Sequence, residues 1–229
     1  MLSLSVVLPS YLEEENLRIL LPRLKKVLKA ENEAAEIIII DTQKPMDQTA
    51  SVCAEQGARY VNRMGGNSYG DAIRTALREA RGYWILVMDA DGSHAPEFIP
   101  NLLKERPHAD VIIASRYMAG GLSENSWLLR SMSYILNLSY AVILGLSCKD
   151  ISNSFKLYRG DMLRELTLRC SNFDVVEEIL FKLYKKTPSL RIVEVPFVFK
   201  KRMFGETKRD LLSFMLTYVY TLIKLRFMR

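Results

Sequence analysis

Cysteine and histidine are too few and too scattered here for most of the chemistry that depends on them. Cys53, Cys148 and Cys170 are widely spaced and form neither a CxxC pair nor a Cys/His cluster, which argues against a disulfide framework and a structural zinc site. They read as ordinary buried thiols. The two histidines, His94 and His108, stand far from other nitrogen or sulfur ligands, and lone histidines seldom make a metal site. His94 reads as a brace for the acidic loop before it, and His108 as a surface residue. No GxGxxG follows the first apolar run, which removes the dinucleotide-binding reading. The glycine-rich first loop of a nucleotidyltransferase is missing too. No aromatic-basic module for nucleic acid is present, no period repeats, and no Pro/Gly/Ser-rich linker divides the chain. The first residues, Met1 to Pro9, lack a basic leader and a small-residue cleavage site. They read as a strand, and the expectation is a chain that stays in the cytosol.

What is present suits one α/β unit. Over 229 residues, 49% are apolar and 25% charged, enough for a packed core along the whole length. A net charge of +6 is compatible with phosphates, nucleic acid or an anionic membrane, and its sign alone does not choose among them. Short β-branched or aromatic runs at Leu4–Leu8, Ile37–Ile40, Tyr60–Val61, Tyr83–Met88 and Val111–Ala114 predict strands buried on both faces of a parallel sheet. Helical patterns fill the gaps at Asn16–Ala30, Met46–Gln56 and Tyr69–Ala80. The alternation predicts a doubly wound, mostly parallel sheet with helices on both faces. The second half predicts helices at Asn125–Ser147, Met162–Leu168 and Val175–Lys186, a strand at Arg191–Phe199, and a last helix from about Lys208.

In such sheets ligands bind beyond the carboxyl ends of the strands. The residues there are acidic: Glu13 follows the first strand, Asp41 the second, and Asp89-Ala90-Asp91 the fourth, while Ser115-Arg116 follows the fifth. Two carboxylates leaving one buried strand suit Mg²⁺ or Mn²⁺, which takes one or two carboxylates together with substrate phosphates. A diphosphate donor would supply those phosphates. The metal would act as a Lewis acid at the departing diphosphate.

These residues lie within a longer pattern. Asp89 to Glu97 resembles the metal-binding signature of the polyprenyl-phosphate (dolichyl-phosphate) mannose synthases, a branch of the family 2 glycosyltransferases. Pro9-Ser10-Tyr11-Leu12-Glu13-Glu14-Glu15-Asn16 resembles that family's P-T-Y-N-E-x-E-N, and Gly70-Asp71-Ala72 its G-T-A. Ser115-Arg116-Tyr117 with Gly120-Gly121 resembles G-S-R-Y and the following glycines. Trp127, Arg130, Ser133 and Asn137 fall at the family's W, R, S and N spacing. Asp150 to Lys156 resembles D-x-T-S-G-F-R, and Arg202, Gly205, Thr207 and Lys208 resemble R-x-x-G-x-S-K.

The resemblance implies a GT-A fold over residues 1–229 and inverting transfer of a hexose, mannose favoured, from a donor such as GDP-mannose to a polyprenyl phosphate. Asp89 and Asp91 would hold the metal. The donor would lie against Pro9, Tyr11, Glu13, Asp41, Gly70, Asp89, Ala90, Asp91, Arg202 and Lys208, with Arg202 on the diphosphate. Arg116 and Arg130 would hold the acceptor phosphate, since guanidinium forks match phosphate oxygens. A lipid phosphate is already anionic, so no strong base is needed; an alcohol acceptor would need one, and Asp150 is the first candidate. The chain departs from the pattern after the second strand, where Asp41 to Thr49 is one residue longer than D-D-G-S-x-D-G-T and lacks its glycines. Ser154 also stands where the family has glycine, and Leu12 where it has asparagine.

Residues 131–148 carry no charge but are interrupted by Ser131, Ser133, Asn137, Ser139 and Ser147. This favours an interfacial or packed helix over a membrane span. The last helix has an apolar body between basic ends, Lys208 and Arg209 on one side, Lys224, Arg226 and Arg229 on the other, which suits anionic headgroups or a protein partner. The expectation is that 122–147 and 207–229 are amphipathic, on an enzyme peripheral to the cytoplasmic face of a membrane, with an oligomer left open. A glycosyltransferase acting on a glycan hydroxyl and a catalytically silent donor-binding subunit are the alternatives.

Overall fold

The computed structural model describes residues 2–204 and 211–227, with side chains in the last helix described from residue 217 onward. The five apolar runs become strands β1 (Leu4–Pro9), β2 (Ala35–Asp41), β3 (Arg59–Asn62), β4 (Trp84–Val87) and β5 (Val111–Ser115). Their residues alternate between two cores, as a period of two requires. Val7, Ile38, Ile40, Ile85, Val111 and Ile113 enter one; Val6, Leu8, Ile39, Leu86 and Ile112 enter the other. Because both faces are covered, each strand reads as a continuous apolar run.

Helices α1 (Glu14–Ala30), α2 (Thr49–Gln56) and α4 (Ile99–Lys104) bury their apolar stripes in the second core. In the first lie α3 (Tyr69–Glu79), α5 (Trp127–Leu144), α6 (Gly160–Arg164), α7 (Val175–Lys186) and α8 (Leu211–Arg226). Helix α2 begins three residues later than predicted, where the Asp47 carboxylate accepts the Thr49 N–H at 3.0 Å. The predicted start of the last helix at Lys208 lies outside the described residues, as do Gly205 and Thr207.

The sheet order is β3-β2-β1-β4-β7-β5-β8, with β7 (Lys156–Arg159) and β8 (Ile192–Pro196) completing it. The sheet is mostly parallel, as expected, but β7 runs antiparallel to both β4 and β5. That reversal matters for the site: the segment before β7, residues 150–155, arrives at the same edge as the ends of β1, β2, β4 and β5. The predicted strand Arg191–Phe199 divides at Phe197, whose N–H bonds Ser115 O at 2.8 Å while its ring is buried. Beyond it, β9 (Val198–Phe199) pairs with β6 (Leu122–Ser123) in a separate two-stranded sheet.

Candidate active site

A cleft of about 870 Å³ opens at this edge. Its walls include Pro9, Tyr11 and Glu13 after β1, Asp89, Ala90 and Asp91 after β4, Arg116 after β5, and Arg202 beyond β9. These sequence-predicted residues, far apart in the chain, meet in one place. Asp41, Gly70, Arg130 and Asp150 are not among its lining residues, and Lys208 lies outside the described residues.

The acidic loop is fixed from below. His94 is fully buried and stacked on Phe155 with ring centroids 4.7 Å apart. Its Nδ1 accepts the Asp89 N–H at 2.9 Å, which puts the ring proton on Nε2, 3.2 Å from Asn153 Oδ1. Burial holds the imidazole below its ordinary pKa, in keeping with this neutral tautomer. Asp89 Oδ1 accepts from Ser154 Oγ at 3.0 Å and from Tyr69 Oη at 3.4 Å. Asp91 Oδ1 accepts from the Ser93 N–H at 3.0 Å and from Ser93 Oγ at 2.6 Å, while its Oδ2 makes no hydrogen bond among the described residues.

Among the described residues no three His, Cys, Asp or Glu side chains gather as a ready-made metal site. Two hard-oxygen carboxylates on one short loop nonetheless fit a cation that completes its shell with a diphosphate and water. Gly92, directly after Asp91, adopts φ +82°, and a Cβ there would lie 2.5 Å from the Met203 side chain. The loop is thus covered by the segment that leads to Arg202, and Met203 N–H bonds Asp91 O at 2.9 Å.

Basic residues line the cleft as well. Arg116 is nearly buried, and its Nε and Nη2 donate to Asp150 Oδ2 and Oδ1 at 2.8 and 2.7 Å. Its Nη2 also reaches Ser152 Oγ at 3.0 Å. Burial would raise the Asp150 carboxyl, but the charge and hydrogen bonds of Arg116 outweigh it and hold the group below the usual carboxylate range. Asp150 is fully buried and orients Arg116 from behind. Arg116 Nη1 makes no hydrogen bond among the described residues. Arg130 is exposed on the first turn of α5. Arg202 pairs with Glu13 at 3.0 Å, and Glu13 also accepts from Asn16 Nδ2 at 2.5 Å.

Asp41 is buried and accepts from Tyr60 Oη at 3.0 Å, with burial raising its pKa. Gly70 is glycine for a packing reason: a Cβ would lie 2.2 Å from Cys170 O. Sequence reasoning passed over Arg63, Tyr69, Phe173, Lys200, Lys201 and Tyr218, which also line the cleft. Of these only the run Lys200-Lys201-Arg202 carried a visible signal, three cations in succession. The others arrive through tertiary packing: Phe173 stacks on Tyr69 with centroids 4.3 Å apart, and Tyr218 comes from α8.

Comparison with known proteins accords with this geometry. The chain is 32% identical over 235 aligned residues to a dolichol-phosphate mannosyltransferase of Pyrococcus furiosus, covering 97% of this chain and 64% of that protein. It thus spans less than two thirds of that relative's length. It is 33% identical over 213 residues to an undecaprenyl-phosphate mannosyltransferase of Micrococcus luteus, covering 88% of this chain and 85% of that one. Among solved structures, glucosyl-3-phosphoglycerate synthase from Mycobacterium tuberculosis in complex with Mn²⁺, UDP and glucosyl-3-phosphoglycerate aligns with a TM-score of 0.75 at 16% identity. That alignment covers 100% of this chain and 81% of the other, and it supports the GT-A fold. The model of the family described as Glycosyl transferase family 2 matches residues 5–167, from β1 through the acidic loop, Arg116 and β7. The chain belongs to glycosyltransferase family 2.

Proposed function

We propose that this chain is an inverting, metal-dependent enzyme that moves a hexose, with mannose favoured, from a nucleoside-diphosphate sugar such as GDP-mannose to a polyprenyl phosphate. The observation that carries the reading is the composition of the cleft from end to end. Asp89 and Asp91 line it together with Arg116, Lys200, Lys201 and Arg202, while Leu129 and Leu136 of α5 and Tyr218 of α8 also line it. A substrate with an anionic head and an apolar tail matches both kinds of lining. The names of the relatives from P. furiosus and M. luteus support a lipid-phosphate acceptor and mannose.

Mg²⁺ or Mn²⁺ held by Asp89 and Asp91 would neutralise charge growing on the departing diphosphate. The chain's own residues do the positioning. Arg202 and its lysine neighbours attract the donor phosphates, and Arg202 exchanges its Glu13 partner for them. Arg116, pre-oriented by Asp150, offers Nη1 to the acceptor phosphate. The acceptor oxygen attacks already ionised, so positioning and charge stabilisation suffice. Asp150, buried and committed to Arg116, is poorly suited to act as the base that an alcohol acceptor would require.

The apolar surface beside the cleft fits work at the cytoplasmic face of a membrane. Trp127, Ile135 and Val142 of α5 are exposed, as are Tyr220, Ile223 and Phe227 at the end of the chain. Among the described residues α5 is the helix long and apolar enough to cross a bilayer, but a mean hydropathy of 1.2 and the interrupting serines favour lying along the interface.

A transfer assay with a panel of nucleotide sugars against short polyprenyl phosphates and glycan acceptors tests the proposal. Metal-dependent formation of a polyprenyl-phosphate hexose is the expected result. Transfer to a glycan hydroxyl alone, or donor binding without turnover, overturns it.

A further inference from the structure

We infer that Asn137 is a positioning residue that holds Arg116 in the acceptor end of the cleft, so that the seating of α5 sets the grip on the acceptor. The acceptor part of this rests on the function proposed above; the linkage between Asn137 and Arg116 does not.

Asn137 is 1% exposed, while its helix neighbours Ile135 and Leu138 are 63% and 51% exposed. An asparagine inside a helix is unfavourable unless its side chain finds partners, and here every capacity of the amide is used. Oδ1 accepts from the Ile151 and Ser152 N–H groups at 2.7 and 2.8 Å. Nδ2 donates to Ser133 O at 2.7 Å and to Ser152 Oγ at 2.9 Å. The amide therefore ties α5 to the two residues that follow Asp150.

Ser152 completes the link. Its hydroxyl oxygen accepts from Asn137 Nδ2 and, on its other side, from Arg116 Nη2 at 3.0 Å. With both lone pairs taken, the Ser152 proton is left to donate, and the residue lines the cleft. Arg116 is thus held from two directions, by Asp150 behind it and by Ser152 on the α5 side. Asn137 lines no part of the cleft itself, so it acts through Ser152 and Arg116. A helix whose outer face is apolar and whose inner face carries this amide can pass a change in its seating directly to the guanidinium.

The first test is hydrogen exchange of the Arg116 Nε–H, followed by ¹⁵N NMR in the full chain without ligands. Asn137→Ala should speed that exchange about tenfold, the scale of one net hydrogen bond, while amide protection in β1 stays as it was. Ser152→Ala keeps the two backbone bonds to Asn137 Oδ1 and should speed the same exchange, which covers the case in which Asn137→Ala folds poorly. Unchanged Arg116 exchange in Ser152→Ala, or a loss of protection spread evenly through β1 in both variants, overturns the inference.

The second test is kinetic, with GDP-mannose and farnesyl phosphate. Asn137→Ala should raise the acceptor KM about tenfold with the donor KM unchanged, and should add nothing in an Arg116→Ala background. Additive effects would mean that the two residues act independently, and the inference would fall. If the wild-type chain transfers nothing to farnesyl phosphate, the proposed function fails, while the exchange measurement still decides the linkage.

Discussion

Arg116 and Asp150, 34 residues apart in sequence, are joined by two hydrogen bonds from the guanidinium and a third from the Arg116 backbone N–H. An amide in place of the carboxylate cannot accept on both of its end atoms and sets an NH₂ against the guanidinium. Breaking a buried pair on one side costs about 3–5 kcal/mol. Asp150→Asn should therefore lower stability by about that amount in urea titrations and weaken acceptor use at the same time. A general-base role predicts a different pattern, with turnover lost and stability retained.

Two other buried groups, Lys156 and Glu177, set a dependence on pH. Burial lowers the Lys156 amine to about 8 and raises the Glu177 carboxyl to about 8. For Glu177 the folded pKa lies above the unfolded one, so its contribution is fully present below about pH 4.5 and is lost as pH rises through about 8. For Lys156 the folded pKa lies below the unfolded one, so stability recovers between about pH 8 and 10.5. Chemical denaturation of the wild type should thus show declining stability from pH 5 to 8. Glu177→Gln should flatten that decline; an equally steep slope in the variant would mean that another group carries it.

Leu12 has φ +56°, a left-handed conformation that costs a Cβ-bearing residue about 1–2 kcal/mol. Asparagine tolerates it better, because its short polar side chain can bond locally. Since Leu12 is 43% exposed, little burial is lost on replacement. Leu12→Asn should raise stability by about 1 kcal/mol, measured by urea unfolding. No gain would show that Leu12 recovers the cost through contacts of its own.

The parallel part of the fold was legible because strands buried on both faces leave uninterrupted apolar runs. Helix α7 was read with its observed bounds, Val175–Lys186. Strand β7 was not legible: Lys-Leu-Tyr-Arg carries charge at both ends, yet it sits inside the sheet. Lys156 is tolerated there because its Nζ donates to the carbonyls of Ile151 and Asn153, a local satisfaction that no apolar pattern reveals. Missing β7 hid the meeting of Asp150 with Arg116, which follows from strand direction. The acidic loop was legible because Asp89 and Asp91 follow their strand directly, whereas Phe173 and Tyr218 reach the cleft from distant segments.

The metal reading makes a sharp demand on Asp91. Asp91→Asn keeps an oxygen to accept from Ser93 but removes the charge a hard cation requires. Because the metal is assigned several kcal/mol of leaving-group stabilisation, turnover should fall roughly a hundredfold or more, with the thermal midpoint almost unmoved. The loss should persist at saturating Mg²⁺ or Mn²⁺. Normal metal-dependent turnover in the variant would remove Asp91 from the site.

The two arginines assigned to the acceptor should respond differently to lysine. Arg116 needs its planar fork, because Nε and Nη2 are held by Asp150 and Ser152 while Nη1 stays without a hydrogen bond among the described residues. A lysine ammonium at that position cannot bind Asp150 at two points and also reach a phosphate. Arg130 stands exposed on α5 and offers mainly charge. Arg116→Ala removes a charge-assisted contact of roughly 1.5–3 kcal/mol, an acceptor defect of about tenfold to a hundredfold or more, whereas Arg130, exposed and outside the cleft lining, should cost less when replaced by alanine. Lysine should recover most of the smaller loss at Arg130 and little of the loss at Arg116, with the donor KM unchanged throughout. Steady-state kinetics with a short polyprenyl phosphate measure all four variants. Equal rescue by lysine at both positions would show that Arg116 acts as a point charge, and unchanged acceptor kinetics in both alanine variants would remove the lipid phosphate from this end of the cleft.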